Sequence, residues 1–225
     1  MIDWHNIDTV MLDMDGTLLD LHYDNYFWLH YLPRRYAEIH KLEPDEATAK
    51  LHAVIDEHRG TLQWYCLDYW SDKLALDIRS LKEEVQHKIA IRPHVENWLA
   101  RLREHDKQLL LVTNAHRKVL SLKLEITGID QYLDEIFSSH DFQHPKEDQA
   151  FWHALQSARP FQRERTLFVD DTATVLESAK TYGIRHLLGI HQPDSQVERR
   201  LEGYPAIHHF DEVMPAPKGV TTPIS

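Results

Sequence analysis

The sequence predicts an α/β fold in which a parallel sheet is flanked by helices and interrupted, after its first strand, by an all-helical insertion. Three observations carry this. From Pro93 onward, strand-like apolar runs alternate with amphipathic helical runs, the pattern of a parallel sheet covered on both faces. From Leu21 to Ile91 the chain reads as helix throughout, and Gly60 is the sole glycine there. The run Thr9-Val10-Met11-Leu12 ends abruptly in Asp13 and Asp15, a pair of acids followed by Gly16. Ligands of open α/β sheets bind at such strand ends.

Taken in order, Tyr23 to His40 is expected to be the first helix of the insertion. Pro44 suits the first turn of a second, where a missing N–H costs nothing, and Ala47, Leu51, Val54 and Ile55 keep helical spacing toward His58. Gly60 breaks that run. Leu62 to Leu74 forms a third, strongly aromatic helix, and Leu81 to Ile89 a weaker fourth. After Pro93, the face Val95, Trp98, Leu99 and Leu102 predicts a helix, followed by the strand Leu109-Leu110-Leu111-Val112. Val119 to Ile126 is helical and stops at Gly128, suited to a C-terminal cap. Ile136 and Phe137 lead a short strand, and Phe151, Trp152 and Leu155 mark the next helix. Leu167-Phe168-Val169 is a strand ending in Asp170 and Asp171. Thr172 is placed to cap the helix that buries Val175, Leu176 and Ala179 and stops at Gly183. Ile184 to Ile190 and Ala206 to Phe210 complete the series. The predicted domains are residues 1–20 with 92–214 as the core and 21–91 as a helical cap. Residues 215–225, rich in Pro and Thr, are expected to be a disordered tail.

Composition narrows the function. The 225 residues carry 25 Lys and Arg against 36 Asp and Glu, a formal charge of −11, so a nucleic acid polymer is repelled on average. A small phosphorylated ligand needs only a local positive pocket. Cys66 is the only cysteine, which rules out an intrachain disulfide and suits a reducing compartment. The first residues have neither a basic n-region nor an apolar h-region, and no apolar run nears the ~18 residues that span a bilayer. A cytoplasmic protein without a membrane partner is expected. The 17 histidines form no zinc-ligand cluster by spacing. Cys66, flanked by large aromatics, reads as packing rather than as a nucleophile.

Residues i and i+2 of a strand face the same way, so Asp13 and Asp15 are able to meet one ligand, and Gly16 frees the turn after them. Carboxylates this close repel, which raises the pKa of at least one unless a cation compensates. Two further strands end in polar groups, Thr113-Asn114 and Asp170-Asp171, and Lys146 precedes a helix in His144-Pro145-Lys146-Glu147-Asp148. Acids converging in this number require positive charge, and hard oxygen donors suit Mg²⁺, which often shares a substrate phosphate. Lys146 neutralises further charge, and Thr113 offers a hydroxyl to a phosphoryl oxygen. The set fits phosphoryl transfer, where catalysis is positioning and charge stabilisation.

In kind and order, Asp13-Met14-Asp15-Gly16-Thr17, Thr113, Lys146 and Asp170-Asp171 resemble the four motifs of the haloacid dehalogenase-like hydrolases. The resemblance covers nearly the whole chain, including a helical cap placed directly after the first motif. It implies a Rossmann-like core, with Asp13 as the nucleophile that forms an aspartyl-phosphate. Asp15 would protonate the leaving oxygen and then activate water. Mg²⁺ would be held by Asp13, the Asp15 backbone carbonyl and Asp171, with Asp170 as a direct or water-mediated ligand. Thr113, Asn114 and Lys146 would bind phosphate. The second acid argues for a phosphatase or phosphomutase over a dehalogenase.

Within the superfamily, the stretches Asp24-Asn25-Tyr26-Phe27-Trp28 and Trp64-Tyr65-Cys66-Leu67-Asp68-Tyr69-Trp70 look like those of bacterial purine 5′-nucleotidases. So do Pro145-Lys146-Glu147-Asp148-Gln149 and the run from Glu164 to Asp171. This implies a purine nucleoside monophosphate, GMP or IMP, as the small-molecule substrate. Hydrolysis of a sugar phosphate or phosphoglycolate on the same core, and a noncatalytic nucleotide-binding regulator, are the alternatives. Tyr26, Phe27 and Trp28 are consecutive and cannot all face one core. Stacking a base on such a ring is worth about 1–3 kcal/mol. Tyr26, Trp28 and His116, just past the Thr113 strand, are the candidate substrate contacts.

Overall fold

The computed structural model describes residues 2–218. Its first strand, β1 (Thr9–Leu12), is buried at every position, as a strand covered on both faces must be. The chain then runs through α1 (His22–Tyr26), α2 (Leu32–His40), α3 (Pro44–Asp56), α4 (Leu62–Tyr65), α5 (Leu67–Leu74) and α6 (Ile78–Glu84) before it re-enters the sheet region. There follow α7 (Val95–Glu104), β2 (Gln108–Thr113), α8 (Arg117–Thr127), β3 (Glu135–Ser138), α9 (Ser139–Phe142), α10 (Gln149–Ala158), β4 (Thr166–Asp170), α11 (Ala173–Tyr182), β5 (His186–Ile190) and β6 (Ala206–Ile207).

The strands form one six-stranded parallel sheet in the order β3-β2-β1-β4-β5-β6. The chain leaves β1 to one side and returns to the other at β4, so the crevice beyond β1 is the topological switch point. Alternate side chains divide the core. Val10, Leu12, Leu109, Leu111 and Val169 share one cluster with Trp98, Leu99 and Phe210. Met11, Leu110, Val112 and Phe168 face the other way, onto Phe151, Trp152 and Leu176. The first cluster continues into the helical segment through Tyr23, Phe27, Leu51, Trp70 and Leu81.

Both ends of the helical segment are stitched together. The Asp20 N–H donates to the Ala90 carbonyl at 2.9 Å and the Arg92 N–H to the Leu18 carbonyl at 3.0 Å. The buried Arg92 guanidinium then donates to the carbonyls of Gln192, Pro193 and His208. Its charge is thus spread over the segments that follow β5 and β6.

Local chemistry breaks the helices where periodicity alone predicts continuity. The run from Tyr23 to His40 is split by a π turn over Phe27–Tyr31, where the Leu32 N–H reaches five residues back to the Phe27 carbonyl. Pro33 lacks the N–H that would continue the ordinary ladder, and the wider turn absorbs the gap. The run from Leu62 to Leu74 breaks at Cys66, whose extended backbone starts α5 and whose sulfur accepts from the Tyr69 N–H. The fourth helix begins at Ile78 because Asp77 caps it, accepting from the Ser80 N–H at 3.0 Å. Thr172 precedes α11 but makes no capping bond, its hydroxyl donating to Asp171 instead.

The first part of the expected tail lies on the core: His105 donates to the Ala216 carbonyl and Lys218 pairs with Asp106. Residues 219–225, the remainder of the expected disordered tail, fall outside the described residues. Among the described residues, no helix is long and apolar enough to cross a membrane.

Candidate active site

Sheet register sets the site. Leu12 aligns with Leu111 on one side and Val169 on the other, so Asp13, just past β1, lies beside Asp170, the last residue of β4. The Asp13 N–H donates to the Val169 carbonyl at 3.0 Å, extending the ladder by one bond. Gly16 then turns the chain at φ +83°, where a β-carbon would lie 2.8 Å from Asp171 Cγ and 2.9 Å from Pro193 Cβ. Only glycine allows that approach.

Lys146 sits at the centre. Its ammonium, 2% exposed, donates to Asp13 Oδ1 at 2.6 Å, to Asp170 Oδ2 at 2.7 Å and to the Val112 carbonyl at 3.1 Å. Its backbone is fixed from both sides: its N–H donates to Asn114 Oδ1 at 2.9 Å and its carbonyl accepts from Trp152 Nε1 at 3.0 Å. The Asn114 amide donates to Glu147, whose other oxygen accepts from the Tyr65 hydroxyl of α4 at 2.7 Å. Asn114 is therefore committed to holding the Lys146 loop. Thr113 is buried, and its hydroxyl accepts from the Ala115 N–H, which orients it.

Asp13, Asp170 and Asp171 each present an oxygen within 4.8 Å of the others. Arg199 reaches Asp171 Oδ2 at 3.0 Å and also donates to its carbonyl. Burial pushes Asp13 up to about 6 against the pull of Lys146, with Asp170 adding repulsion. Asp170 rises to about 6 through burial and the neighbouring Asp171 charge, and Asp171 to about 6 through burial and Asp13. Lys146, although buried, is held above its ordinary value by Asp13 and Asp170.

Asp15 belongs to a different network. Its Oδ1 accepts from Lys123 of α8 at 2.6 Å, and Lys123 also donates to Asp24 of α1 at 2.6 Å. Asp24 accepts from Lys82 of α6 at 2.8 Å. The Lys82 ammonium lies 4.8 Å from the Tyr23 ring and 4.4 Å from that of Phe27, an apolar, π-faced setting for a cation. Asp15 keeps 23% of its side chain exposed against 8% for Asp13, so it is the acid open to a solvent proton. Burial, Asp24 and Asp13 push Asp15 up to about 6 despite Lys123. Asp24 moves the other way: burial opposes its charge, but Lys123 and Lys82 prevail and hold it below the usual carboxylate range.

The structure thus brings together Asp13, Asp15, Asn114, Lys146, Asp170 and Asp171, with Thr113 ending the adjacent strand. The three candidate substrate contacts have other neighbours. Trp28 packs edge-on to Phe27 and Trp70. Tyr26 lies among His22, His30 and Tyr31 with the Lys88 ammonium 4.1 Å over its ring. His116 caps α8, with Nε2 3.8 Å from Asp68.

Spacing missed Lys123, Asp24, Lys82 and Arg199. Lys123 falls four residues after Val119, a charge on the apolar face of its helix, and Asp24 sits between Tyr23 and Phe27 in the same way. Those misplaced charges were the available signal. Arg199 lies in an irregular loop and gave none.

The sequence profile of the haloacid dehalogenase-like hydrolases matches residues 10–188. The chain belongs to that family. Over 216 residues, 96% of this chain and 97% of its relative, it is 42% identical to GMP/IMP nucleotidase YrfG of Escherichia coli K12. Among solved structures, a haloacid dehalogenase-type phosphatase from Thermococcus onnurineus superposes with a TM-score of 0.77 at 21% identity, covering 92% of this chain and 96% of that one. The L-2-haloacid dehalogenase of Xanthobacter autotrophicus shares the fold at a TM-score of 0.57 and 16% identity, covering 83% and 78%. One architecture therefore accompanies different chemistries, and the residues at the strand ends must decide between them. This chain is an enzyme of the hydrolase class, and its relatives make it a phosphatase.

Proposed function

We propose that the protein is a Mg²⁺-dependent phosphatase of purine nucleoside 5′-monophosphates, GMP or IMP, acting through a phosphorylated Asp13. The observation that carries the reaction is the separate anchoring of two acids on one turn: Lys146 holds Asp13, and Lys123 holds Asp15. Asp13 Oδ1 is fixed by Lys146, and its second oxygen attacks phosphorus. The bond from phosphorus to the nucleoside 5′ oxygen breaks, and Asp15 gives that oxygen its proton. Water then loses a proton to Asp15 and attacks the phosphoryl group. The bond to Asp13 breaks, phosphate leaves, and Asp15 is protonated for the next cycle. Lys146 and Thr113 receive the phosphoryl oxygens, and Asn114 acts by placing Lys146.

The donor set fits a hard divalent cation: three buried carboxylates within 4.8 Å, each pushed up to about 6 by burial and by a neighbouring acid. Asp13 and Asp171, with the Asp15 carbonyl, would hold Mg²⁺, and Asp170 would ligate directly or through water. When bound, it neutralises charge on the acids and on the phosphate.

Substrate choice rests on the 42% identity to the Escherichia coli nucleotidase, which at 96% coverage runs through the helical segment as well as the core. Residues 21–91 are assigned as the cap, with Tyr26, Trp28 and His116 as candidate contacts to the nucleoside. A cytoplasmic setting, with Cys66 reduced, suits this activity. The test is a panel of phosphomonoesters assayed with and without Mg²⁺. GMP or IMP should give the highest kcat/KM, with no turnover in excess chelator. A preference for a sugar phosphate or phosphoglycolate would replace the substrate, and nucleotide binding without phosphate release would leave only a regulator.

A further inference from the structure

Beyond the aspartate site, the fold assembles soft donors that spacing in the sequence does not reveal. Cys66 at the start of α5, His116 at the start of α8 and His140 in α9 each present a sulfur or nitrogen within 4.8 Å of the other two. They come from three separate stretches, one in the helical segment and two in the sheet domain. We propose that Cys66, His116 and His140 bind a borderline divalent transition ion, Zn²⁺ in chemical class, and that this ion ties the helical segment to the sheet domain.

Each donor is poised for it. The His140 Nε2 is buried without a hydrogen-bond partner among the described residues, a lone nitrogen left over inside the seam. The two imidazoles meet edge to face with centroids 4.8 Å apart. Neither His116 nitrogen has a strong partner: Nδ1 accepts from the Lys118 N–H at 3.4 Å, and Nε2 stands 3.8 Å from Asp68. The Cys66 sulfur faces the amino end of α5, where its one contact is the Tyr69 N–H at 3.4 Å, and its lone pairs are otherwise uncommitted among the described residues. Burial also lowers His116, and His140 to about 4, so both rings are neutral near pH 7, without a proton to displace.

Thiolate and imidazole donors select Zn²⁺ and its neighbours over Mg²⁺, so this site and the carboxylate site draw on different ions. Tetrahedral zinc needs donors about 3.3–3.6 Å apart, so ligation asks for a contraction of about 1 Å. Asp68, whose other oxygen is paired with Lys118, stands 3.8 Å from His116 Nε2, where it can complete the set or orient His116 as carboxylates orient metal-bound histidines. Cys66 follows Tyr65, which reaches Glu147, and His116 stands two residues past Asn114. Occupancy thus pins the helical segment beside the catalytic loops and slows turnover. That consequence rests on the proposed hydrolysis; the site itself does not.

The test uses the full chain in excess Mg²⁺ with a non-thiol reductant, titrated with Co²⁺ as a spectroscopic probe. One equivalent should give a thiolate-to-cobalt charge-transfer band and the intense visible bands of a tetrahedral ion, both erased by one equivalent of Zn²⁺. C66S should lose the charge-transfer band, and H140Q should weaken Co²⁺ binding at least about tenfold. Both variants should keep the wild-type circular dichroism. Absence of stoichiometric binding at micromolar metal, or an unchanged spectrum in C66S, would overturn the site. Zn²⁺ that raises the melting temperature of the wild type but of neither variant supports the tie across the seam. An equal rise in all three would refute it. These readouts are independent of phosphate release, so loss of the proposed hydrolysis would leave the metal site standing, and loss of the site would leave the hydrolysis.

Discussion

Two buried lysines hold the two acids of a single turn, and they hold them differently. Lys146 joins Asp13 to Asp170, both from strand ends of one sheet. Lys123 joins Asp15 to Asp24, and Lys82 completes the chain, so that network passes from the sheet domain into the helical segment. Their charge balance differs too. Asp13, Asp170 and Asp171 give −3 against +2 from Lys146 and Arg199, a net of −1. Asp15 and Asp24 give −2 against +2 from Lys123 and Lys82, a net of zero. The sheet network is short of positive charge, which the proposed divalent cation would supply. The crossing network is satisfied by the protein alone and depends on where the helical segment sits.

The largest effect should come from breaking the sheet network at its reacting atom. Asp13→Asn is expected to lower turnover by at least about a thousandfold, since a carboxamide is a poor nucleophile toward phosphorus. Lys146 would keep Asp170 and the Val112 carbonyl, so the melting temperature should move little. A collapse in stability alongside the lost activity would assign the loss to folding.

Breaking the crossing network should cost more stability and less chemistry. Lys123→Met leaves the half-buried Asp15 without its cation and Asp24 with Lys82 alone, a loss of at most about 3–5 kcal/mol. Turnover should fall about ten- to a hundredfold, because Asp15 loses its anchor. Adding Asp15→Asn removes the carboxylate left without a cation, while Asp24 keeps Lys82, and should restore part of the melting temperature. If the double variant melts no higher than the single one, the coupling through Lys123 is wrong.

How much of this could be read in the sequence follows the same division. The sheet network was legible because its acids and Lys146 end strands or precede a helix in a fixed order, and strand register carries them together. The crossing network was not, because Asp24, Lys82 and Lys123 lie on three helices whose packing no local pattern states. The cysteine–histidine cluster escaped for the same reason: its donors are scattered in sequence and converge only when the helical segment docks. The breaks at Cys66 and Pro33 were missed because periodicity sees apolar spacing, not where a backbone bond goes.

pH distinguishes the two networks through Asp24 alone, since Asp15 of the crossing network is pushed up to about 6 like the three strand-end acids. Asp13, Asp170 and Asp171 are each pushed up to about 6, so without metal the folded protein keeps protons that the unfolded chain releases above about pH 4. Stability contributed by these groups therefore falls as pH rises from about 4 to about 6. Asp24 is held below its ordinary value. Its contribution is present above about pH 4 and is lost only as pH drops toward that lower value. Metal competes with protons at the first set alone, so the Mg²⁺-induced rise in melting temperature should be larger near about pH 7 than near about pH 5. Equal rises at both would mean that these carboxylates are not its ligands.

The smallest expected effect separates the rings that flank the crossing network. The Trp28 ring packs on Phe27 at 5.1 Å and Trp70 at 5.9 Å, and the Lys82 ammonium lies 5.5 Å from it. Tyr26 instead faces His22, His30, Tyr31 and Lys88. Truncating Trp28 therefore loosens the setting of Lys82, while truncating Tyr26 leaves that cation's neighbours in place. Trp28→Ala is expected to lower kcat/KM for GMP about tenfold, equivalent to ~1.4 kcal/mol, and Tyr26→Ala only a few-fold. The part of each loss that comes from stacking on the base should be absent with p-nitrophenyl phosphate, which offers no purine, whereas a part acting through Lys82 should be common to both substrates. Should Trp28→Ala lower both substrates equally, the ring serves the packing of the helical segment. Selectivity for the base would then have to come from residues other than this aromatic face.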